Sequence, residues 1–437
     1  MKKLIFLLAL LVPFSASAKL LDLSVFKLDN GIEVAVIENH KAPVVLQMIY
    51  YKTGSINDPR GKGGIAHLLE HLMFRGTKKV PDQMFNRLTD EYGAVNNAYT
   101  TYSETGYYEF SDISKLELMM VLEADRMQNL KISDEAFLKE RQVVLEERMQ
   151  RFETKPTPLF YENLNKLLWQ EHPMSNPVSG SVSEIKNLTK KDAEEFYQRW
   201  YRPDNALLVL AGDISVKEAK ILAQKHYGKI EKKGTMPEMD EQQSSRAIDM
   251  FIKTKLAGIQ QQRFVSYRRL DAQSLTKKDI LALSLLAEYL SGDDTSYLYD
   301  KLVYEGKKLL SIDMGVSYDE KFGGVVSFYA TPVQGVTNPE NINEILETEI
   351  KAGIRALEIQ KLEKIKHQML SETIYLQEDP ENSARFVGNM LLADYSDKEI
   401  MNYDEEMMKI TIEDVLEAWK KVEASNIRVK GYLEGRE

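Results

Sequence analysis

The sequence predicts an α+β protein in two halves, and three observations carry that expectation. Runs of two-residue and helical period alternate along the chain. A charged, polar stretch at 231–246, with Gly234, Pro237 and two serines, divides it. The part beyond this linker, 247–437, repeats the proportions of the part before it. With 437 residues there is enough chain for two domains with substantial cores. Hydrophobic content of 43% and charged content of 28% are those of a soluble globular chain. A net charge of −10 speaks against nucleic acid or an anionic membrane surface as a partner.

Residues 1–18 read as a secretory signal peptide rather than as part of the fold. Lys2 and Lys3 form a positive start, Leu4 to Phe14 an apolar stretch, and Ala16-Ser17-Ala18 a cleavage site before Lys19. The apolar run is too short to span a bilayer, and Pro13 lies near its end. No later stretch is long and apolar enough to anchor the chain. There is no cysteine, hence no disulfide framework and no cysteine-linked lipid. An exported protein, periplasmic or secreted, is expected.

The first domain is expected over 19–230. Val25 to Leu28 and Ile32 to Ile37 flank Asp29-Asn30-Gly31, a hairpin signal, and Val44 to Tyr51 reads as a more buried strand. A glycine-rich loop from Gly54 to Gly64 leads into a short helix, and Pro81 starts another that ends near Gly93. Ala98 to Phe110 is β-branched and aromatic around a turn at 103–106. Leu116 to Leu130 has helical period. Ser133, followed by Asp134 and Glu135, caps a helix running to about Phe152. After a loop from Pro173 to Gly180, a helix at 190–201, a strand at 206–211 and a helix at 216–227 complete the half.

The short helix carries the chemistry. In His67-Leu68-Leu69-Glu70-His71 the histidines are one helical turn apart on one face, so both imidazoles reach one ion. Glu70 projects beside that ion without having to bind it. Leu68, Leu69, Leu72 and Met73 hold the helix against a core. The order H-x-x-E-H is that of the inverted zinc-peptidase helix. Catalytic zinc takes three protein ligands and lowers the pKa of water to about 7. A neighbouring carboxylate can then move the proton. The bland alternative, two of six histidines falling four apart on an amphipathic helix, does not account for the glutamate in the third slot.

The third ligand is sought on the helix after Ser133. Glu140 and Glu147 are two turns apart and share a face with Val143 and Val144, which points that face inward. Glu146 falls among Lys139, Gln142 and Gln150, a solvated stripe, so periodicity favours Glu147 over Glu146. The second half has one histidine, His367, at no ligand spacing, and His40, His172 and His226 are equally isolated. No phosphate loop, nucleophile elbow or basic-aromatic strip appears, and Gly292, Gly323 and Gly324 read as turns.

These residues resemble the pitrilysin/insulinase group of zinc metallopeptidases, which includes the mitochondrial processing peptidase. His67 to Thr77 resembles its metal helix, Gly93 with Asn97-Ala98-Tyr99-Thr100 its substrate-side strand, and Glu140 to Arg148 its distal-ligand helix. Tyr201 to Asn205 with Ala211-Gly212-Asp213, and Gly292 to Tyr299, are similar to later landmarks. The resemblance implies two related domains, each a mostly antiparallel sheet packed with helices, facing each other around a chamber. It implies one zinc per chain on His67, His71 and Glu147, with Glu70 as general base and Glu140 orienting an imidazole. Asn97, Ala98, Tyr99 and Thr100 would bind an extended peptide by strand addition. The group's Arg/Tyr pair, which holds the substrate carbonyl, falls by ungapped reading on Val303 and Leu310, neither a hydrogen-bond donor. Tyr297, Tyr299, Tyr304 and Tyr318 are candidate substitutes. By resemblance to two-subunit members, a homo- or heterodimer with a related metal-free subunit carrying the pair is expected.

Overall fold

The computed structural model describes residues 20–436 except 233, 236–245, 320, 337 and 377. The segment read as a signal peptide and most of the linker lie outside the described residues. Six strands form the first sheet: β1 (Leu23–Lys27), β2 (Glu33–Glu38), β3 (Val44–Tyr51), β4 (Val95–Thr100), β5 (Thr105–Asp112) and β6 (Ala206–Gly212), in the order β1-β2-β6-β3-β5-β4. The second contains β7 (Ile248–Leu256), β8 (Arg263–Leu270), β9 (Leu309–Asp319), β10 (Gly323–Pro332) and β11 (Ile427–Gly435), in the order β7-β11-β8-β10-β9. Without β1, the two orders are the same topology. Each has one parallel pair, β2 with β6 and β7 with β11, and is otherwise antiparallel. The expected α+β fold of two sheet-plus-helix domains is the one observed.

The local signals act as their chemistry dictates. The β1–β2 hairpin turns at Asn30-Gly31, and the buried Asn30 amide donates to the carbonyls of Tyr227 and Ile230. Ser133 Oγ accepts from Ala136 N and opens the helix Asp134–Arg148. That helix ends earlier than expected and passes into a π-helical turn, Met149–Glu153. The helix expected from Pro81 begins at Met84, where Gln83 stands in the left-handed region at φ 63°.

Both faces of the central strands are buried, which explains their near-continuous apolar composition. In β3, Val45, Ile49 and Tyr51 face the helices of their own half. Leu46, Met48 and Tyr50 face the other way, with Ala35, Ile37, Leu207, Val209 and Ala211. That second face is covered by Ala384, Val387 and Leu391 of the helix Pro380–Leu392, which belongs to the second half of the chain. The exchange is reciprocal. Phe160, Leu164, Leu168 and Trp169 of the helix Pro156–Trp169 cover Val265, Tyr267, Ile427, Val429 and Leu433 of the second sheet. Each large apolar side chain so buried contributes about 1.5–3 kcal/mol, so each sheet depends on the opposite half of the chain to keep one face dry.

Both exchanged contacts close over a glycine. A Cβ on Gly388 would stand 2.5 Å from the ring of the fully buried Tyr50, and one on Gly431 would stand 2.4 Å from Leu164 Cδ1. On an open helix face, glycine to alanine stabilises by up to about 1 kcal/mol. Here Gly388→Ala and Gly431→Ala are each expected to destabilise by about 1–3 kcal/mol through overpacking. Denaturant unfolding measures this, and unchanged or raised stability in both variants would contradict the close approach.

Candidate metal centre

The helix Ile65–Leu72 starts without help from its own cap residue, because Gly64 has no side chain to offer. Asp58 supplies the cap from the preceding loop. Its carboxylate accepts from Gly64 N at 2.7 Å and Ala66 N at 3.1 Å, satisfying donors that the first turn leaves open. Ile65, Ala66, Leu68, Leu69 and Leu72 are fully buried, so the core fixes the rotation of the helix. His67, Glu70 and His71 are left on its one half-buried face.

The helix Asp134–Arg148 packs beside it through Phe137 and Val144 and brings Glu147 opposite the imidazoles. Glu147 Oε2 lies 3.7 Å from His67 Nε2 and 3.4 Å from His71 Nε2. One ligand atom from each of the three lies within 4.8 Å of the others, a grouping found nowhere else among the described residues. Ligands about 2.0–2.2 Å from a tetrahedral zinc stand roughly 3.3–3.6 Å from one another, so the two spacings fit an ion held between them. They are also longer than good hydrogen bonds. Two imidazoles and one carboxylate are the donor set of a catalytic zinc site. Glu146, exposed at the cavity border, accepts from Gln142 at 2.9 Å and does not join the trio. One detail of the expectation is corrected. Val144 is buried, but Val143 is 38% exposed and lines the cavity, because the inward face of this helix borders open space rather than core.

Glu140 stands behind His71. Its Oε2 lies 3.3 Å from His71 Nδ1 and its Oε1 2.5 Å from Arg75 Nη2. Once His71 is neutral, an Nδ1–H donated to Glu140 leaves the Nε2 lone pair free for a metal ion. The two histidines differ electrostatically. Burial, then the neighbouring His71, lowers His67 to about 4, so it is neutral at pH 7. Burial also opposes charge on His71, but the hydrogen bond to Glu140 and the facing Glu147 carboxylate outweigh it and raise it to about 9. The facing His71 imidazole is the largest influence on Glu147 and takes it down to about 2.

Glu70 stays outside the trio. Its Oε2 accepts from Thr100 Oγ1 at 2.6 Å; burial raises its pKa, and this bond works against the rise. Asn97, Ala98, Tyr99 and Thr100 line the same cavity, on the edge strand of the first sheet. Alternation sends Ala98 and Thr100 toward the metal helix, while Tyr99 turns toward Tyr50 and Arg385. The cavity measures about 1070 Å³, at the top of the range for small-molecule pockets and roomy enough for a peptide segment.

Val303 packs against the second core and Leu310 is 55% exposed on β9; neither lines this cavity. Nor do the tyrosines singled out beside them. Tyr297 stacks near Tyr289, Tyr299 borders a separate hollow of about 330 Å³, Tyr304 is exposed, and Tyr318 donates to the Asp271 carbonyl. The second-half side chain that does line it is Tyr267. Sequence reasoning also passed over Arg75 and Arg151, although each follows a site residue by four positions and so falls on the same helical face.

Residues 33–182 match the family described as Insulinase (Peptidase family M16), and residues 187–369 match Peptidase M16 inactive domain. The zinc protease PqqE of Helicobacter pylori is 30% identical over 376 residues, spanning 84% of this chain and 82% of that protein. A probable mitochondrial-processing peptidase subunit beta of Schizosaccharomyces pombe is 30% identical over 47% of this chain and 44% of its own length. Among solved structures, a protease from Helicobacter pylori superposes with a TM-score of 0.85 at 24% identity, covering 95% of this chain and 99% of that one. The periplasmic protease PqqL from Escherichia coli gives 0.74 at 18% identity, over 94% of this chain and 47% of that one. Two matched domains in tandem and a zinc-protease relative aligned along most of its length establish that this chain belongs to the insulinase family of peptidases, family M16.

Proposed function

We propose that the chain is a zinc-dependent endopeptidase that hydrolyses peptides or unfolded protein segments. The observation that carries this reading is the meeting of His67, His71 and Glu147 within 4.8 Å, with Glu70 beside them in one cavity. His67, His71 and Glu147 would hold the ion, through the Nε2 and Oε2 atoms that face one another, while Glu140 fixes the orientation of His71. Zinc, when bound, supplies the Lewis acidity that makes water acidic and polarises a carbonyl. Glu70 takes a proton from water and returns it to the departing amine. Its raised pKa suits both transfers, and Thr100 holds the carboxylate in place. The outer edge of β4 offers main-chain groups to an extended peptide. The signal-like pattern at 1–18 and the likeness to a periplasmic protease support a periplasmic site of action.

A second reading is a partner-dependent subunit, or one that binds without cleaving. It is favoured by the second half, which presents Tyr267 to the cavity but neither Val303 nor Leu310. Relatives named as a processing-peptidase subunit and as cytochrome b-c1 complex subunit 1 are parts of multi-chain assemblies by name. Assaying the purified chain on a quenched peptide library, alone and mixed with a related chain lacking the histidines, separates the cases. Turnover alone is expected, turnover only in the mixture would establish the heteromeric reading, and none in either would establish the non-catalytic one.

Glu70→Gln is expected to keep its zinc and to lose peptidase activity by at least about 100-fold, the lower range for removing a general base. His67→Ala, His71→Ala and Glu147→Ala should each lose zinc on dialysis, whereas Glu146→Ala should keep it. Metal analysis beside the activity assay checks both, and turnover in Glu70→Gln would exclude the proton role. Zinc binding also has a proton signature. His67 is already neutral above about pH 4, while His71 carries its proton to about 9. Metal binding near neutral pH should therefore release the His71 proton, together with any proton lost by the metal-bound water, and progressively less from His71 as pH rises past 9. Calorimetry in buffers of different ionisation enthalpy reads this; no proton release near neutral pH would contradict a protonated His71.

A further inference from the structure

Arg151 is a cation at the site that the proposed chemistry leaves without a task. It lines the cavity on the π-helical turn after Glu147, and its side chain is 69% exposed. Its Nη1 nevertheless stands 2.6 Å from Glu147 Oε1. The two oxygens of a single carboxylate thus have separate partners: Oε1 meets Arg151, and Oε2 faces both imidazoles.

An exposed pair four residues apart on a helix ordinarily contributes little to stability. Two features set this one apart. Its turn is anchored from the opposite side, because Arg148 is 2% exposed and bonds to Glu153 at 2.9 Å and Glu162 at 2.6 Å. The guanidinium therefore extends from a fixed point and not from a frayed end. The second feature is the partner. Carboxylates bind divalent ions through one oxygen or through both. A catalytic zinc with three protein ligands needs its fourth place open. Were Glu147 to bind through both oxygens, Oε1 would crowd that place.

We propose that Arg151 is a positioning residue that keeps Glu147 a one-oxygen ligand, by holding Oε1 away from the metal. The proposal rests on the reading of His67, His71 and Glu147 as the metal ligands. Arg151 suits the task because a guanidinium directs its N–H groups in a rigid plane, whereas an ammonium acts as a mobile point charge. Arg75 treats Glu140 the same way, binding Oε1 while Oε2 faces His71. In both cases an arginine four residues along the chain from a ligand selects which carboxylate oxygen faces the imidazoles.

Cobalt(II) in place of zinc reports coordination number without any activity assay, since four-coordinate cobalt absorbs visible light roughly several-fold more strongly than five-coordinate cobalt. The wild-type chain at one cobalt per chain is expected to show the intense four-coordinate bands. R151A should lose most of that intensity as Oε1 joins the shell, and R151K, which keeps a cation at the same spacing, should retain more of it. Identical spectra for wild type and R151A, or a weak five-coordinate spectrum in the wild type, would overturn the proposal. So would equal intensity in R151A and R151K. E147A separates this failure from failure of the ligand set, because unaltered cobalt binding in E147A removes Glu147 as a ligand altogether. Arg151 buries little surface, so R151A should melt with the wild type.

Discussion

Everything at the site depends on two short helices being unable to slide past one another. Two imidazoles on Ile65–Leu72 and a carboxylate on Asp134–Arg148 must stay within reach of one ion, although the sequence separates them by some 70 residues or more. Apolar packing sets the distance, through Leu68, Leu69 and Leu72 on one side and Phe137 and Val144 on the other. The register is set by charge. Glu140, 2% exposed, is hydrogen-bonded to His71 and ion-paired with Arg75, and a carboxylate buried this deeply is stable only while those partners stay in place. Shifting either helix by one turn would strand it.

The constraint extends beyond the first sheet. The π-helical turn after Glu147 leads to Pro156–Trp169, the helix that crosses to cover the second sheet. Arg148 joins the two by its bonds to Glu162. A peptide-sized cavity therefore has one wall built on the metal helix and another on Tyr161 and Tyr267, with a single chain of ionic and apolar contacts between them. The return exchange, Pro380–Leu392 over Tyr50 and its neighbours, makes the arrangement mutual.

The parts of this that could be read in the sequence are those governed by local spacing. The histidine pair, Glu70, and Glu147 over Glu146 all follow from helical period, as do the Ser133 cap and the hairpin at Asn30-Gly31. The helix Pro156–Trp169 went unread, although Phe160, Leu164 and Leu168 are four apart and proline stands at its start. Its destination was not legible, because its partners Val265, Tyr267 and Val429 lie far along the chain, beyond the linker. Val143 deceived for a related reason: period tells which residues share a face, and not whether that face meets core or cavity. Tyr267 had no signal at all, since a tyrosine in a strand is more often packing than wall.

The duplicated topology bears on why only one half carries metal. β2 to β6 and β7 to β11 run in the same order, and where the first sheet follows β3 with the histidine helix, the second follows β8 with Lys277–Ser291. That helix buries Leu281, Leu283, Leu285, Leu286 and Leu290 and brings no imidazole to its cavity side. The fold itself thus does not require the polar site. In the first half, His67, His71, Glu70, Glu140 and Glu147 all sit partly or wholly out of water, which destabilises the fold unless each is partnered. Arg75, Thr100 and the two imidazoles provide those partners among the protein's own groups. His67 Nδ1, buried without a hydrogen bond, shows that the pairing is incomplete. A half relieved of that burden can keep the same strands with a helix whose buried face is mostly leucine, and it is left free to shape the far wall of the cavity.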